Sequence, residues 1–167
     1  VTDCCPDSKP AENPGVHLGS ILGVLTKEGR DKVTLIASPQ IKSLGTWLEQ
    51  LIAESTGKEG KGIVPIAAET LAAPKSYGND RLFVYLRLAS KPDPTQDAAV
   101  EALEQSGNPV VRIELPDLMH LGAEFFRWEL AVATAGSLIG INAFNQPNVQ
   151  ESKDFTKEFL AEFVEEG

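Results

Sequence analysis

Gln50 and Glu54 are the first pair in this chain whose types and spacing could do chemistry. At 100° per residue, positions four apart share one face of a helix. The stripe Leu44, Trp47, Leu48, Leu51 and Ile52 runs beside them and makes one continuous apolar arc. The pair therefore sits at the margin of that arc, next to Trp47, while Glu49 and Ala53 point towards solvent. A carboxylate held there could exchange a proton with a bound molecule. It could equally be a solvated side chain, although the negative end of the helix dipole disfavours a carboxylate in the last turn.

Lys153 is the second candidate. The final helix has an apolar arc of Val149, Thr156, Phe159, Leu160, Phe163 and Val164, and Lys153 lies inside it. It could snorkel, burying its stem and sending its ammonium to water, or project into a site holding negative charge. His17 and His120 could each act as acid or base. Neither has a setting that favours this: His17 has no acidic neighbour one turn away, and His120 opens a long helix. The string STGK invites a phosphate-loop reading and fails it. That motif needs glycine five residues before its Gly-Lys and a hydroxyl residue after, where Ile52 and Glu59 stand. Cys4, Cys5, His17 and His120 are too few and too scattered for a metal centre.

The elements that must position these groups can be read from period and punctuation. Asn13-Pro14 reads as a helix start, and the helix runs to Lys27 with Gly29 as its end. Gly15, Gly19 and Gly23 form a ridge along it. Each costs about 1 kcal/mol against alanine in a helix interior, so another element is expected close by. VTLIAS (33–38), RLFVYLRL (81–88) and PVVRIEL (109–115) read as strands, with GIVPIAAE between the first two. Helices are expected at 94–107, from about Leu118 to Ile141, and from Val149 to the acidic C-terminus. Strands alternating with helices imply an α/β fold: a three-layer α/β/α sandwich with a mainly parallel sheet, followed by C-terminal helices. In such sheets ligands gather at the carboxyl ends of the strands.

The 167 residues suit one domain, 13–167, behind a linker-like lead-in over 1–12. A net charge of -9 argues against nucleic acid or an anionic membrane as partner. Two adjacent cysteines imply no disulfide framework and fit a cytoplasmic location. The apolar run at 119–141 contains Glu124, Arg127 and Glu129, which marks a core helix rather than a membrane span.

Two segments together resemble a known family. DKVTLIASPQIKSLGTWLEQLIAESTGKEG is similar to the strand, helix and active-site loop of glucose-6-phosphate isomerases. There a glutamine stands four residues before a glutamate followed by Ser, Asn or Thr, Gly and Lys. The matching residues are Gln50, Glu54, Ser55, Thr56, Gly57 and Lys58. LGAEFFRWELAVATAGSLIGINAFNQPNVQESK resembles the family's second signature through Leu121-Gly122-Ala123, Trp128-Glu129, Ile141-Asn142-Ala143-Phe144-Asn145-Gln146 and Lys153. GRDKVTLIASPQIKSLG is closest in flavour to the isomerase half of bifunctional transaldolase/glucose-6-phosphate isomerases.

The resemblance covers the second of the family's two sugar-isomerase domains. It implies aldose–ketose isomerisation of glucose 6-phosphate and fructose 6-phosphate through a cis-enediol, a step of glycolysis and gluconeogenesis, without metal or organic cofactor. By the same resemblance Glu54 is the base, Gln50 orients substrate hydroxyls and Lys153 assists ring opening. Implied partners are the sugar phosphate, an N-terminal sugar-isomerase domain and, in the intact enzyme, a second subunit. This half by itself would then be inactive and prone to self-association, with the glycine ridge and part of the Glu54 region meeting the other half. The family's ring-opening histidine falls on Arg81, which receives no role. A non-catalytic sugar-phosphate-binding module is the alternative reading.

Overall fold

The computed structural model describes residue 9 and residues 12–166. The lead-in expected over 1–12, with Cys4 and Cys5, lies outside them except for Lys9 and Glu12, an exposed ion pair at 3.5 Å.

Helix α1 (Pro14–Lys27) begins where Asn13 caps it, its side chain accepting from the backbone N–H of Gly15 at 2.9 Å and Val16 at 3.3 Å. Strand β1 (Lys32–Ala37) leads through a 3-10 turn at Pro39–Ile41 into helix α2 (Lys42–Thr56). Strands β2 (Val64–Ala67) and β3 (Arg81–Leu88), helix α3 (Pro94–Gln105) and strand β4 (Val110–Leu115) follow. Helices α4 (Leu121–Ile139) and α5 (Pro147–Glu166) complete the chain. The four strands are parallel, in the order β2-β1-β3-β4.

Side-chain alternation along β3 divides the core in two. Leu82, Val84, Leu86 and Leu88 join Leu44, Leu48 and Ile52 of α2, Trp128 and Val132 of α4, and Leu18 and Leu22 of α1. Phe83 and Tyr85 face the other way, onto Val100 and Leu103 of α3. The expected α/β/α sandwich is the observed fold, with three helices on one face of the sheet and α3 on the other. The helix expected over 118–141 is shorter at both ends. Asp117 caps a separate 3-10 turn at Leu118–His120, and Gly140 ends α4 in the left-handed region at φ 75. No helix among the described residues is long and apolar enough to cross a membrane.

The glycine ridge meets α4. A Cβ on Gly15 would stand 2.9 Å from the Arg127 carbonyl oxygen, and one on Gly23 2.8 Å from Leu138 Cβ. The ridge was expected to face another part of a larger enzyme; it is instead an internal seam of this chain. Glycine allows the two backbones to touch where any side chain would hold them apart.

On the α3 face Tyr85 donates to Asp97 Oδ1 at 2.9 Å, and Asp97 also accepts from Arg87 Nε at 2.8 Å and Nη2 at 3.1 Å. Burial, reinforced by Asp97, pushes the Tyr85 phenol up to about 12. Above pH 10 the unfolded chain sheds this proton while the folded one keeps it, so stability falls as pH rises from 10 towards 12. Urea midpoints measured across that interval are expected to drop in the wild type and to drop less steeply in Tyr85→Phe. Equal slopes would show that the phenol is not held protonated.

Candidate functional site

The last turn of α2 ends in a pinned loop. Thr56 Oγ1 donates to Ile52 O at 2.7 Å and accepts from Ile63 N at 2.9 Å, so the helix end is tied to the residue just before β2. Between them residues 57–62 fold back as a miniature hairpin, with Lys58 and Lys61 bridged antiparallel. Gly60 at φ 71 and Gly62 at φ 147 take backbone conformations that side chains disfavour.

On this platform Gln50 Nε2 donates to Glu54 Oε1. Both residues are exposed. The structure thus joins the two groups the sequence singled out and leaves the carboxylate open to a ligand. Glu49 does not point freely to solvent as expected: its Oε1 accepts from Ala67 N at 3.1 Å and tethers α2 to the edge strand.

Glu54 also departs from the rule that ligands gather at the carboxyl ends of strands. Because α2 returns antiparallel to β1, its C-terminal turn sits at the amino edge of the sheet, beside the entry to β2. A cleft of about 700 Å³ opens there, lined by Ala53, Gly57, Lys61, Ile63 and Pro65, with Thr26 opposite. A cavity of about 480 Å³ lies at the carboxyl edge, lined by Ala37, Lys42, Glu69 and Gln96. Gln50, Glu54 and Lys153 line neither opening, although Ala53 beside Glu54 lines the first.

Lys58 was absent from the candidates and is the most informative side chain here. It is 5% exposed. Its ammonium donates to Asn142 O and Ala143 O at 2.9 Å each, and to Asn145 O. The segment it grips links α4 to α5 and belongs to the second motif. Lys61 adds a longer contact to Gly140 O at 3.3 Å. A separation of more than eighty residues leaves no periodic signal from which this clamp could have been read.

No hydrogen bond or ion pair joins Lys153 to Glu54 among the described residues. Lys153 stands exposed on α5 and has no other such partner among them. The arc around it is itself open, so its stem has no buried surface to lie along in this chain: Phe159, Phe163 and Val164 are 69%, 72% and 80% exposed. His17 is exposed on α1, and His120 Nδ1 lies 3.0 Å from Asp117 Oδ1 in an exposed turn. Arg81 is held in place by Glu69 at 2.6 Å and Thr34 at 2.7 Å, with its guanidinium over the Tyr77 ring at 5.0 Å. Glu124, 2% exposed, is pushed up by burial against the opposing pull of Arg127 at 3.4 Å. No group of side chains able to hold a metal occurs among the described residues.

No family model matches the chain. It is 30% identical to the glucose-6-phosphate isomerase of Methanocaldococcus jannaschii over 89% of its own length and 45% of the relative's. With the probable glucose-6-phosphate isomerase of Halobacterium salinarum it shares 32% identity over 72% of its length and 36% of the relative's. Among solved structures, a hypothetical protein, TT0462, from Thermus thermophilus superposes with a TM-score of 0.69 at 19% identity, covering 90% of this chain and 46% of that one. A glucose-6-phosphate isomerase from Chlamydia trachomatis superposes with a TM-score of 0.62 at 16% identity, covering 92% and 39%. These structures speak for the fold, and the sequence relatives carry the family. The chain is a glucose-6-phosphate-isomerase-like segment that spans 45% and 36% of the length of these two relatives.

Proposed function

We propose that this chain supplies the C-terminal sugar-isomerase domain, residues 13–167, of an enzyme interconverting glucose 6-phosphate and fructose 6-phosphate. The observation that carries the reading is the exposed Glu54 carboxylate, hydrogen-bonded to Gln50 on a helix end that is pinned on both sides. Isomerisation moves one proton between neighbouring carbons. In the open-chain aldose Glu54 takes the proton from C2, the released pair forms the C1–C2 double bond while the C1–O1 π bond breaks onto O1, and O1 takes a proton to complete the cis-enediol. O2 then gives up its hydroxyl proton as the C2 carbonyl forms, and the C1–C2 pair takes the proton back from the Glu54 carboxyl at C1, so the proton gained at O1 matches the one lost at O2. One base on one face suffices, provided it is rigidly placed. Gln50 orients a substrate hydroxyl beside it. Lys153 assists ring opening in this reading and tempers charge developing on oxygen, which requires α5 to lie against substrate in the assembled enzyme.

The phosphate must be gripped away from the reacting carbons, so that remote binding energy fixes C1 and C2 over Glu54. A chain of net charge -9 is poorly suited to capture a phosphate unaided. The segment is therefore expected to be inactive by itself and active when joined to the remainder of such an enzyme. The exposed α5 stripe is also expected to make it self-associate. Sedimentation and a fructose-6-phosphate conversion assay, on this chain and on the intact gene product, test both points. Ordinary turnover by the 167-residue chain would overturn the need for a second domain. Sugar-phosphate binding without turnover in the intact protein would make it a sensor instead.

A further inference from the structure

We propose that Lys58 is a positioning residue for proton transfer: its buried ammonium fastens the Glu54 helix end to residues 142–145 and so fixes the carboxylate over the substrate carbons. The inference rests on the reading of Glu54 as base and adds to it the residue that holds the base in register.

A lysine ammonium has three donors and no acceptor. At Lys58 all three are spent on backbone carbonyls, those of Asn142, Ala143 and Asn145. No carboxylate lies within ion-pair distance of it among the described residues, so the charge is met by peptide dipoles alone. Taking an ammonium out of water is expensive, and where packing alone matters an apolar side chain of similar volume often serves stability as well or better. What an apolar side chain cannot do is hold three separate carbonyls in one geometry. The clamp therefore contributes placement more than stability.

The path from Lys58 to Glu54 is short and stiff. Lys58 follows Glu54 by four residues, with Gly57 N–H bonded to Ala53 O at 2.9 Å and Thr56 bonded on both sides between them. At its other end the clamp holds the turn in which Phe144 N–H bonds to Asn142 Oδ1 at 2.9 Å, immediately before α5 and Lys153. One ammonium thus sets both the helix end bearing the base and the start of the helix bearing the second candidate. With its donors occupied and its side chain buried, Lys58 does not touch substrate.

The test uses the intact gene product with Lys58→Met, which keeps the length of the stem and removes the donors, and Lys58→Gln, which keeps amide donors. A misplacement of about 1 Å can cost on the order of 100-fold in rate. Lys58→Met is expected to lower kcat by about 10- to 100-fold, with KM changed less than about threefold, per folded molecule counted by circular dichroism. Lys58→Gln is expected to fall between it and the wild type. Hydrogen exchange should speed up together at 57–62 and 142–146. A lowered melting temperature with kcat per folded molecule unchanged would overturn the proposal, leaving Lys58 a packing element. If Lys58→Met does not fold, wild-type kcat in Lys58→Gln overturns it equally. Loss of turnover in Glu54→Gln beside full turnover in the Lys58 variants would sink the positioning role and leave the base standing. A wild-type protein without isomerase activity would sink the reading beneath both.

Discussion

Glu54→Gln in the intact gene product is expected, on the proposed role of Glu54 as base, to cost about 10²–10⁴-fold in turnover, the usual contribution of a positioned general base. At 1.36 kcal/mol per tenfold this is roughly 3–5 kcal/mol of transition-state stabilisation. The substituted amide occupies nearly the same volume and can present its carbonyl oxygen to Gln50 Nε2, so the contact that orients the side chain survives. The position is exposed, and surface substitutions away from special features change stability by about 0.5 kcal/mol or less. Activity and stability therefore separate cleanly. Exchange of the substrate C2 proton with solvent, followed by NMR, reports the base directly. Wild-type exchange in the variant would remove Glu54 from the mechanism, however slow overall turnover became for other reasons.

The largest effect on stability is expected at Gly19. An added methyl would overlap the Ala131 carbonyl oxygen and stand 2.6 Å from Thr134 Cβ and 2.9 Å from Ala131 Cα. Alanine at a helix-interior glycine gains about 1 kcal/mol in propensity, whereas overpacking costs typically about 1–3 kcal/mol and occasionally more. The clash here is with backbone, which cannot swing aside like a long side chain, so overpacking wins. Gly19→Ala should lower stability by about 1–2 kcal/mol net, or roughly 2–8 °C in melting temperature for a chain of this size. Gly122→Ala is the matched control. It lies in the first turn of α4 with nothing near its Cβ position, and it should be neutral or stabilising. Equal melting temperatures for Gly19→Ala and wild type would mean that α1 and α4 do not meet as closely as described.

Local signals account for most of the architecture. Asn13-Pro14, Gly107 and the runs at 33–38 and 81–88 set elements whose identity depends on a few neighbouring residues, and these were legible. So was the pairing of Gln50 with Glu54, which is a matter of helical period. Contacts between distant segments were not. The ridge at Gly15, Gly19 and Gly23 announced a close neighbour without saying which, since nothing in its spacing distinguishes α4 from another domain. Glu49 reads as solvent-facing by helical period, and only the position of β2 gives it a partner. The sheet edge on which Glu54 lies follows from α2 running antiparallel to the strands; a rule about where ligands collect cannot supply it. Lys58 stands in a string that fails as a phosphate loop and matches the family motif without a role for its lysine. Its partners are main-chain carbonyls, which carry no side-chain signature.

The α1–α4 seam also dictates a waiting time in synthesis. Roughly 110 residues separate Gly19 from Ala131, and a ribosome adding about 5–20 residues per second delivers the second on the order of ten seconds after the first. A 14-residue helix interrupted by three glycines has little tendency to form alone. The nascent chain thus carries its first helix unformed, its glycine-bearing stretch unpartnered, until the fourth helix clears the exit tunnel. Folding of this segment is gated by its late residues, and truncations that stop before α4 should yield an early half with no helix at its start.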